Sequence, residues 1–141
     1  MINLRDQEGA AAVEFAIVLP LLMMVLFGII EFSIAFYDKA MITNASREGS
    51  RAGIVLKPEP RETTTENTEI ENEINNFLTD KLITLGTSNV PVVAITRDGF
   101  STGDSLSVTV SYIYDYYVLP GFVTGITGPV TLDATTVMKM E

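Results

Sequence analysis

The residues with the clearest chemical potential are Gly9 and Glu14, within the stretch GAAAVEF. From Phe15 to Ile30 no residue is charged, so Glu14 is a lone carboxylate at the edge of an apolar run. If the chain is cut after Gly9, Ala10 becomes the first residue and carries a free ammonium group, one helical turn from Glu14. The acid can then pair with its own amine or with that of a neighbouring copy displaced by about one turn.

Gly9 and Glu14 each have a physical property that bears on this hypothesis. Glycine at a cut site leaves a protease room to approach the backbone. A carboxylate near a membrane is costly unless it finds a partner, and is therefore a functional candidate. The alternative for Glu14 is that it is an acid tolerated at a membrane boundary.

The element that must position Glu14 is the apolar run itself. A membrane-spanning helix needs about 20 mainly apolar residues, and Ala10 to Ile30 meets that length with Glu14 as its one charged residue. A removable secretory signal would be shorter and would have a basic front, whereas Arg5 is offset here by nearby acids. The pattern favours a single spanning helix over a removable signal, or over a core helix that would need a larger surrounding domain.

Pro20 lies inside the span, where it removes a backbone donor and predicts a helix kink. Neighbouring helices in a membrane can satisfy the freed carbonyl, so the kink is either harmless or a point where the helix adapts to copies of itself. Charge says little about orientation, because Arg5 precedes the span while Lys39 and Arg47 follow it. The short front and the long polar remainder predict a C-terminal domain outside the cytoplasm.

The composition of the 141 residues excludes several classes of function. The net charge of −9 argues against a nucleic-acid partner, because phosphate binding needs a basic surface. The absence of Cys and His removes thiolate chemistry, the commonest general base and the commonest metal ligand. The acids between Glu62 and Glu73 show neither paired-carboxylate spacing nor an EF-hand pattern. We therefore expect neither an enzyme nor a bound cofactor or metal.

Helix-favouring sequence continues beyond the span to about Gly53. Small residues recur in it, from Ala35 to Gly53, and permit the close approach of another helix. Arg47, Glu48 and Arg51 lie within one turn of one another. They form either a solvated charged face or a docking surface for another subunit or for the membrane surface.

The rest of the chain predicts a small α+β domain. Residues 57–69 are rich in Pro, Thr and Glu and predict an exposed linker. Apolar residues at three-to-four spacing predict an amphipathic helix from Ile70 to Leu85, with a capping box at Thr68 and Gly86 as the stop. Period-two alternation predicts three strands, and we expect the helix to cover the apolar face of their antiparallel sheet within residues 70–141. Packing on the long first helix should add to the stability of so small a domain.

The connection between the last two strands, DYYVLPGFVTGITGP, is unusually apolar for a loop. Tyr116, Tyr117, Leu119 and Phe122 either fold back on the core or form an exposed interface patch for a partner or a membrane.

Gly9 to about Val55 resembles the TadE-like family of tight-adherence pilus systems. A short polar leader that ends in Gly, with Glu at the fifth position of an apolar helix, is similar to the class III signal peptides of type IV pilins and pseudopilins. The continuation carries the landmarks AAVEFA, LP, GIIEF and REGSR, and the ending LDATTVMKME is a weaker similarity.

The resemblance implies that residues 1–9 are a leader removed by a prepilin peptidase between Gly9 and Ala10. Residues 10–56 would form the long helix, inserted in the bacterial inner membrane as a single pass. The protein would be a minor pseudopilin supporting pilus assembly and surface adhesion, with pilin subunits, the inner-membrane assembly platform and the lipid bilayer as partners. An unprocessed, membrane-anchored assembly factor of the same system is the alternative.

Overall fold

The computed structural model describes residues 4–55, 60–85, 89–117, 125 and 128–141, with side chains from residue 9 onwards. Its elements are α1 (Leu4–Ile54), α2 (Thr63–Leu78), β1 (Val92–Arg97), β2 (Ser105–Tyr114) and β3 (Val130–Lys139). The predicted α+β class is confirmed: a long apolar N-terminal helix is followed by a second helix and a three-stranded antiparallel sheet.

The N-terminal part of α1 is exposed around its circumference. The segment Gly9–Ile54 is long and apolar enough to cross a membrane, and none of its most apolar part is buried in the protein. Phe15, Ile17 and Leu21 are each more than 60% exposed. A helix that is apolar on all sides is normally buried in a large core or in a membrane. The helix continues on both sides of Pro20, and the kink at that residue stays a prediction.

The C-terminal part of α1 buries a face of small residues. Gly49 and Gly53 are buried on this face, together with Ala45, Ser46 and Ser50. A Cβ atom placed on Gly49 would lie 2.6 Å from Ile74 Cδ1. The close approach predicted from the small residues therefore occurs between α1 and α2.

Helix α2 begins earlier than the sequence predicted. Its first residue is Thr63, and Glu62 precedes it in an extended conformation without a side-chain cap. Thr68, the predicted cap, lies inside the helix and donates its hydroxyl to the Thr64 carbonyl at 2.9 Å. Residues 63–69 of the segment predicted as a linker are helical, and Glu66 in the first turn pairs with Arg61 just before the helix.

Helix α2 also ends earlier than predicted, at Leu78 rather than near Leu85. The Thr79 amide still donates to the Asn75 carbonyl at 2.9 Å, but Asp80 has a φ of 61°. This left-handed conformation ends a helix, and Asp tolerates it better than most residues. The apolar spacing continued past the point where the backbone turns away.

The sheet order is β1-β2-β3 with both pairs antiparallel. In the register, Val110 in the central strand pairs with Val93 on one side and Ala134 on the other. The alternation predicted for β2 is confirmed, since Leu106, Val108, Val110, Tyr112 and Tyr114 are all buried.

The apolar face of the sheet is covered mainly by α1, which packs against β2 and β3, while α2 packs mainly against α1. The sequence predicted α2 for this covering role. The small side chains of α1 allow it to lie close to the sheet, where Ser46 Oγ is 2.8 Å from Thr136 Oγ1. Ile42 of α1 and Ile70 and Ile74 of α2 belong to one core. The C-terminal half of α1 is therefore part of the folded C-terminal domain.

Candidate functional site at the membrane boundary

The predicted cleavage residues lie on the exposed N-terminal part of α1. Gly9, Ala10 and Glu14 are all exposed in the single chain. A Cβ atom placed on Gly9 would meet nothing within 4 Å. Helical geometry sets Ala10 and Glu14 one turn apart on the same face, so the predicted pairing partners are adjacent along the helix.

Glu31 is the first charged residue after the span, and it is only 2% exposed. The Tyr114 hydroxyl at the end of β2 donates a hydrogen bond to Glu31 Oε1 at 2.5 Å. The Tyr117 amide lies 3.1 Å and 3.2 Å from the two carboxylate oxygens. The folded domain therefore encloses the carboxylate at the point where the apolar part of α1 ends, an arrangement that no sequence pattern predicted.

Three tyrosines enclose this carboxylate from the sheet side. Tyr116 and Tyr117 pack edge-on against Tyr114, with ring centroids 6.0 Å and 5.4 Å away. Burial, and then the Glu31 carboxylate, raise the pKa of the Tyr114 hydroxyl, which therefore stays protonated as a donor. Tyr116 and Tyr117 are half-buried against the core, as expected if the loop folds back. Leu119 and Phe122 lie outside the described residues.

A largely apolar groove of about 500 Å³ opens next to this carboxylate. It lies between residues 31–39 of α1 and residues 130–133 of β3, and Tyr114 and Tyr116 also line it. We call it the boundary groove. Phe32 and Phe36 on its α1 side are 66% and 71% exposed. The Lys39 ammonium lines the groove and donates to the Asp133 carbonyl.

A second buried carboxylate, Asp38, faces the turn after α2. Its Oδ1 accepts a hydrogen bond from the Ile83 amide at 2.9 Å. Its Oδ2 is buried without a hydrogen-bond partner among the residues that the structure describes. Burial raises the pKa of Asp38, and the Ile83 hydrogen bond opposes this. The residue ties α1 to that turn at a cost in desolvation.

A third buried carboxylate joins α2 to β1. Glu66 pairs with Arg61 at 2.7 Å and with Arg97 at 3.0 Å, and all three side chains are at most 7% exposed. Both guanidinium groups stack on the Phe100 ring, at 4.5 Å and 4.9 Å from its centroid. The Arg61 hydrogen bond is the largest of the influences that lower the pKa of Glu66. This cluster is structural, since its charges are satisfied within the domain.

The predicted docking residues lie near the far end of α1. Arg47 and Arg51 are exposed, and Glu48 is half-buried. Within the described ranges, the ion pairs are those of Glu66, and none involves these three residues. A docking role for them stays a prediction.

The described residues contain no group of three or more acids placed to hold a metal ion. The carboxylates that the structure does bury are engaged in separate contacts with the tyrosines, the Ile83 amide and the two arginines. The arrangement is suited to holding a domain on a helix.

Comparison with known proteins gives one family. Residues 9–51 match the family of TadE-like proteins, which confirms the resemblance seen in the sequence. No curated protein and no solved structure matches the chain significantly. The TadE-like family is a structural one associated with tight-adherence pili. The match and the single apolar helix indicate a pilus-associated, pilin-like protein anchored in a membrane by one pass.

Proposed function

We propose that this protein is a minor pseudopilin of a tight-adherence pilus, cleaved after Gly9 by a prepilin peptidase. It is inserted in the bacterial inner membrane, with its C-terminal domain outside the cytoplasm, and assembles with other pilin subunits through α1. The observation that carries the proposal is the family match, which starts at Gly9 and extends over α1 to Arg51.

The surroundings of Gly9 support cleavage at that residue. Gly9 is exposed, with open space around its Cα. Because glycine lowers helix stability by about 1 kcal/mol relative to alanine, the turn at Gly9 is easier to unwind into the extended form that a protease needs. The substitution Gly9→Ala would not clash, so a loss of cleavage would report either recognition of the glycine or the greater helix stability of alanine, and not a steric effect.

The exposure of Glu14 supports the proposed role in assembly. Glu14 is exposed among the residues that the structure describes, although it lies at the edge of an apolar span where an unpaired charge is costly. Cleavage supplies an ammonium group at Ala10, about 6 Å away along the helix axis. A neighbouring copy displaced by one turn would satisfy both charges and fix the axial register.

The exposed N-terminal part of α1 supports packing between subunits. Val13, Ile17 and Leu21 recur at four-residue spacing on this part and are each more than 60% exposed. Such a surface has to be covered by lipid before assembly and can be covered by other α1 helices afterwards. Arg47 and Arg51, exposed one turn apart, are candidates for contacts with another subunit or with the assembly platform.

Intact-mass measurement tests the cleavage. Full-length protein co-expressed with the peptidase should lose the mass of residues 1–9, while protein made without the peptidase keeps it. Gly9→Ala should block the loss. Gly28→Ala is the matched control, because that glycine also lies in α1 with nothing within 4 Å of an added Cβ. An unchanged mass in the presence of an active peptidase would contradict the proposal.

The second candidate is an unprocessed, single-pass assembly factor. It is favoured by the continuity of α1 from Leu4 through Gly9, which leaves the cleavage site inside a helix. Cell fractionation separates the two candidates, because a pseudopilin should be found in sheared surface filaments as well as in membranes. Protein of uncut mass found in membranes alone would favour the assembly factor.

A further inference from the structure

We infer that the boundary groove binds a phospholipid of the adjoining membrane leaflet. One acyl chain lies against Phe32 and Phe36, and the phosphate lies near Lys39. The inference depends on the membrane anchoring of α1, but not on cleavage after Gly9.

The depth of the groove relative to the membrane supports the inference. The span from Ala10 to Ile30 matches a hydrocarbon core about 30 Å thick, with a headgroup layer beyond it on each side. Glu31 therefore lies at the hydrocarbon boundary, and its hydrogen bond to Tyr114 places the end of β2 at the same height. Phe32 lies about 3 Å and Phe36 about 9 Å beyond Ile30 along the helix axis, so the groove runs from the hydrocarbon boundary to the outer edge of the headgroup layer. An acyl chain that occupies it is drawn upward out of the hydrocarbon core.

The groove walls are apolar and exposed, as an acyl chain requires. Phe32, Ala35 and Phe36 form the α1 wall, and both phenylalanines are mostly exposed. Large exposed apolar groups next to a membrane are normally covered by lipid or by a partner. The volume of about 500 Å³ falls within the range of about 300–1,000 Å³ typical of ligand pockets. The walls are continuous with the lipid-facing surface of the span, so an acyl chain can enter without crossing water.

A positive charge lies at the upper end of the groove. Lys39 brings an ammonium group to the groove, and its contact with the Asp133 carbonyl uses one of three donors. Helical Cα–Cβ bonds tilt toward the N-terminus, so the Lys39 side chain starts in the direction of the membrane. The Glu31 carboxylate at the lower end is already bonded to Tyr114 and Tyr117. Asp133, which is exposed, also lines the groove, so a phosphate would lie on the Lys39 side of the upper end, above the apolar wall.

Native mass spectrometry of the full-length protein, extracted in mild detergent, tests the inference. Wild-type protein should retain one phospholipid per chain. Ala35→Trp fills the groove and should lose most of this lipid. Ala40→Trp is the matched control, because Ala40 is exposed on the same helix and does not line the groove. Equal retention by Ala35→Trp and wild type would overturn the inference.

The phosphate contact has its own test. Phosphatidylethanolamine and diacylglycerol with the same acyl chains are added separately to delipidated protein. Wild type should prefer the phospholipid by about tenfold, as expected for one charge-assisted hydrogen bond. Lys39→Gln should lose this preference and Lys39→Arg should keep it. Equal binding of the two lipids by wild type would remove Lys39 from the proposal.

Two further outcomes decide the remaining cases. If Ala35→Trp lowers the unfolding temperature, Phe36→Ala is used in its place. The Phe36 side chain is 71% exposed, so its loss leaves the core intact. We expect Phe36→Ala to weaken lipid retention. If wild type retains no lipid and instead forms dimers that Ala35→Trp disrupts, a second copy occupies the groove and the inference is wrong. None of these outcomes depends on whether residues 1–9 are removed, so they are distinguishable from failure of the proposed cleavage.

Discussion

The Tyr114 hydroxyl and the Glu31 carboxylate form a 2.5 Å hydrogen bond in which both side chains are buried. The two residues come from β2 and α1, 83 positions apart in the sequence. Since Glu31 directly follows the apolar span, this bond joins the end of β2 to α1 at the point where the apolar part of the helix ends. It is one of several contacts between α1 and the C-terminal domain, together with those of Ser46 and Asp38.

Removal of this bond should destabilise the domain. Tyr114→Phe leaves the Glu31 carboxylate short of a donor, which costs about 1–3 kcal/mol in the free energy of unfolding. The measurement is denaturant unfolding of the full-length protein in detergent micelles. Tyr116→Phe is the control, because its ring packs edge-on against Tyr114 and its hydroxyl is not a donor to Glu31 among the described hydrogen bonds. Equal stability of the two variants would show that the bond contributes little.

Breaking the Glu66 cluster should have a larger effect. Glu66→Gln leaves Arg61 and Arg97 buried without their counter-charge, and loss of one partner from a buried ion pair costs about 3–5 kcal/mol. Glu73→Gln, exposed on the same helix, should be close to neutral. Chemical unfolding at pH 7 measures both. A loss below about 1 kcal/mol for Glu66→Gln, typical of exposed ion pairs, would contradict the burial seen here.

The same cluster predicts a loss of stability in acid. The pKa of Glu66 is lowered in the folded state from its ordinary value of 4.5, so its contribution is present above that value and is lost as the pH falls through the folded-state pKa. Wild-type stability should therefore decline below about pH 4.5, and Glu66→Gln should remove this part of the decline. Urea midpoints recorded from pH 7 to pH 3 provide the comparison. Parallel profiles of urea midpoint against pH for wild type and Glu66→Gln would contradict the predicted contribution of Glu66 to stability.

The Asp38 carboxyl group should have the opposite effect on the pH dependence of stability. Burial raises its pKa above the ordinary value of 3.8, so its contribution is greatest below pH 3.8 and is lost as the pH rises through the folded-state pKa. Asp38→Asn keeps an oxygen for the Ile83 amide and removes the buried charge. We expect the variant to be more stable at pH 7 by about 1 kcal/mol, with little gain near pH 3. Asp98→Asn, at an exposed position, is the control, and destabilisation by Asp38→Asn at pH 7 would mean that Oδ2 has an essential partner.

The strands were predictable because their signal is local. In β2, residues 105–112 alternate between polar and apolar side chains, so the strand and its buried face both follow from period two. The ends of α2 were not predictable in this way. Leu82 and Leu85 continue the apolar spacing beyond the helix, whereas Asp80 turns the backbone into a left-handed conformation. Apolar spacing shows which face of a helix would be buried, but not where the helix stops.

The candidate site was predictable only in part for a similar reason. Gly9 and Glu14 are recognisable because their spacing along one helix predicts the proposed cleavage and charge pairing. The bond between Glu31 and Tyr114 depends on how α1 lies across β2, which no local pattern encodes. The signal that was present was a carboxylate directly after an apolar span, and such a position makes a residue a functional candidate without identifying its partner.

The last prediction separates the role of Glu14 from the stability of the domain. Glu14 is exposed and far from the core, so Glu14→Gln should change the free energy of unfolding by less than about 0.5 kcal/mol. It should leave cleavage after Gly9 largely intact, because it does not alter the bond that is cut. It should nevertheless reduce incorporation into filaments, because the ammonium group of Ala10 loses its counter-charge. Domain unfolding, intact mass and the amount of protein in sheared filaments measure the three effects on one variant, with Ala12→Ser, also exposed and two positions away, as the control. Filaments that take up Glu14→Gln as efficiently as wild type would show that the carboxylate does not set the register, even if the leader is removed as proposed.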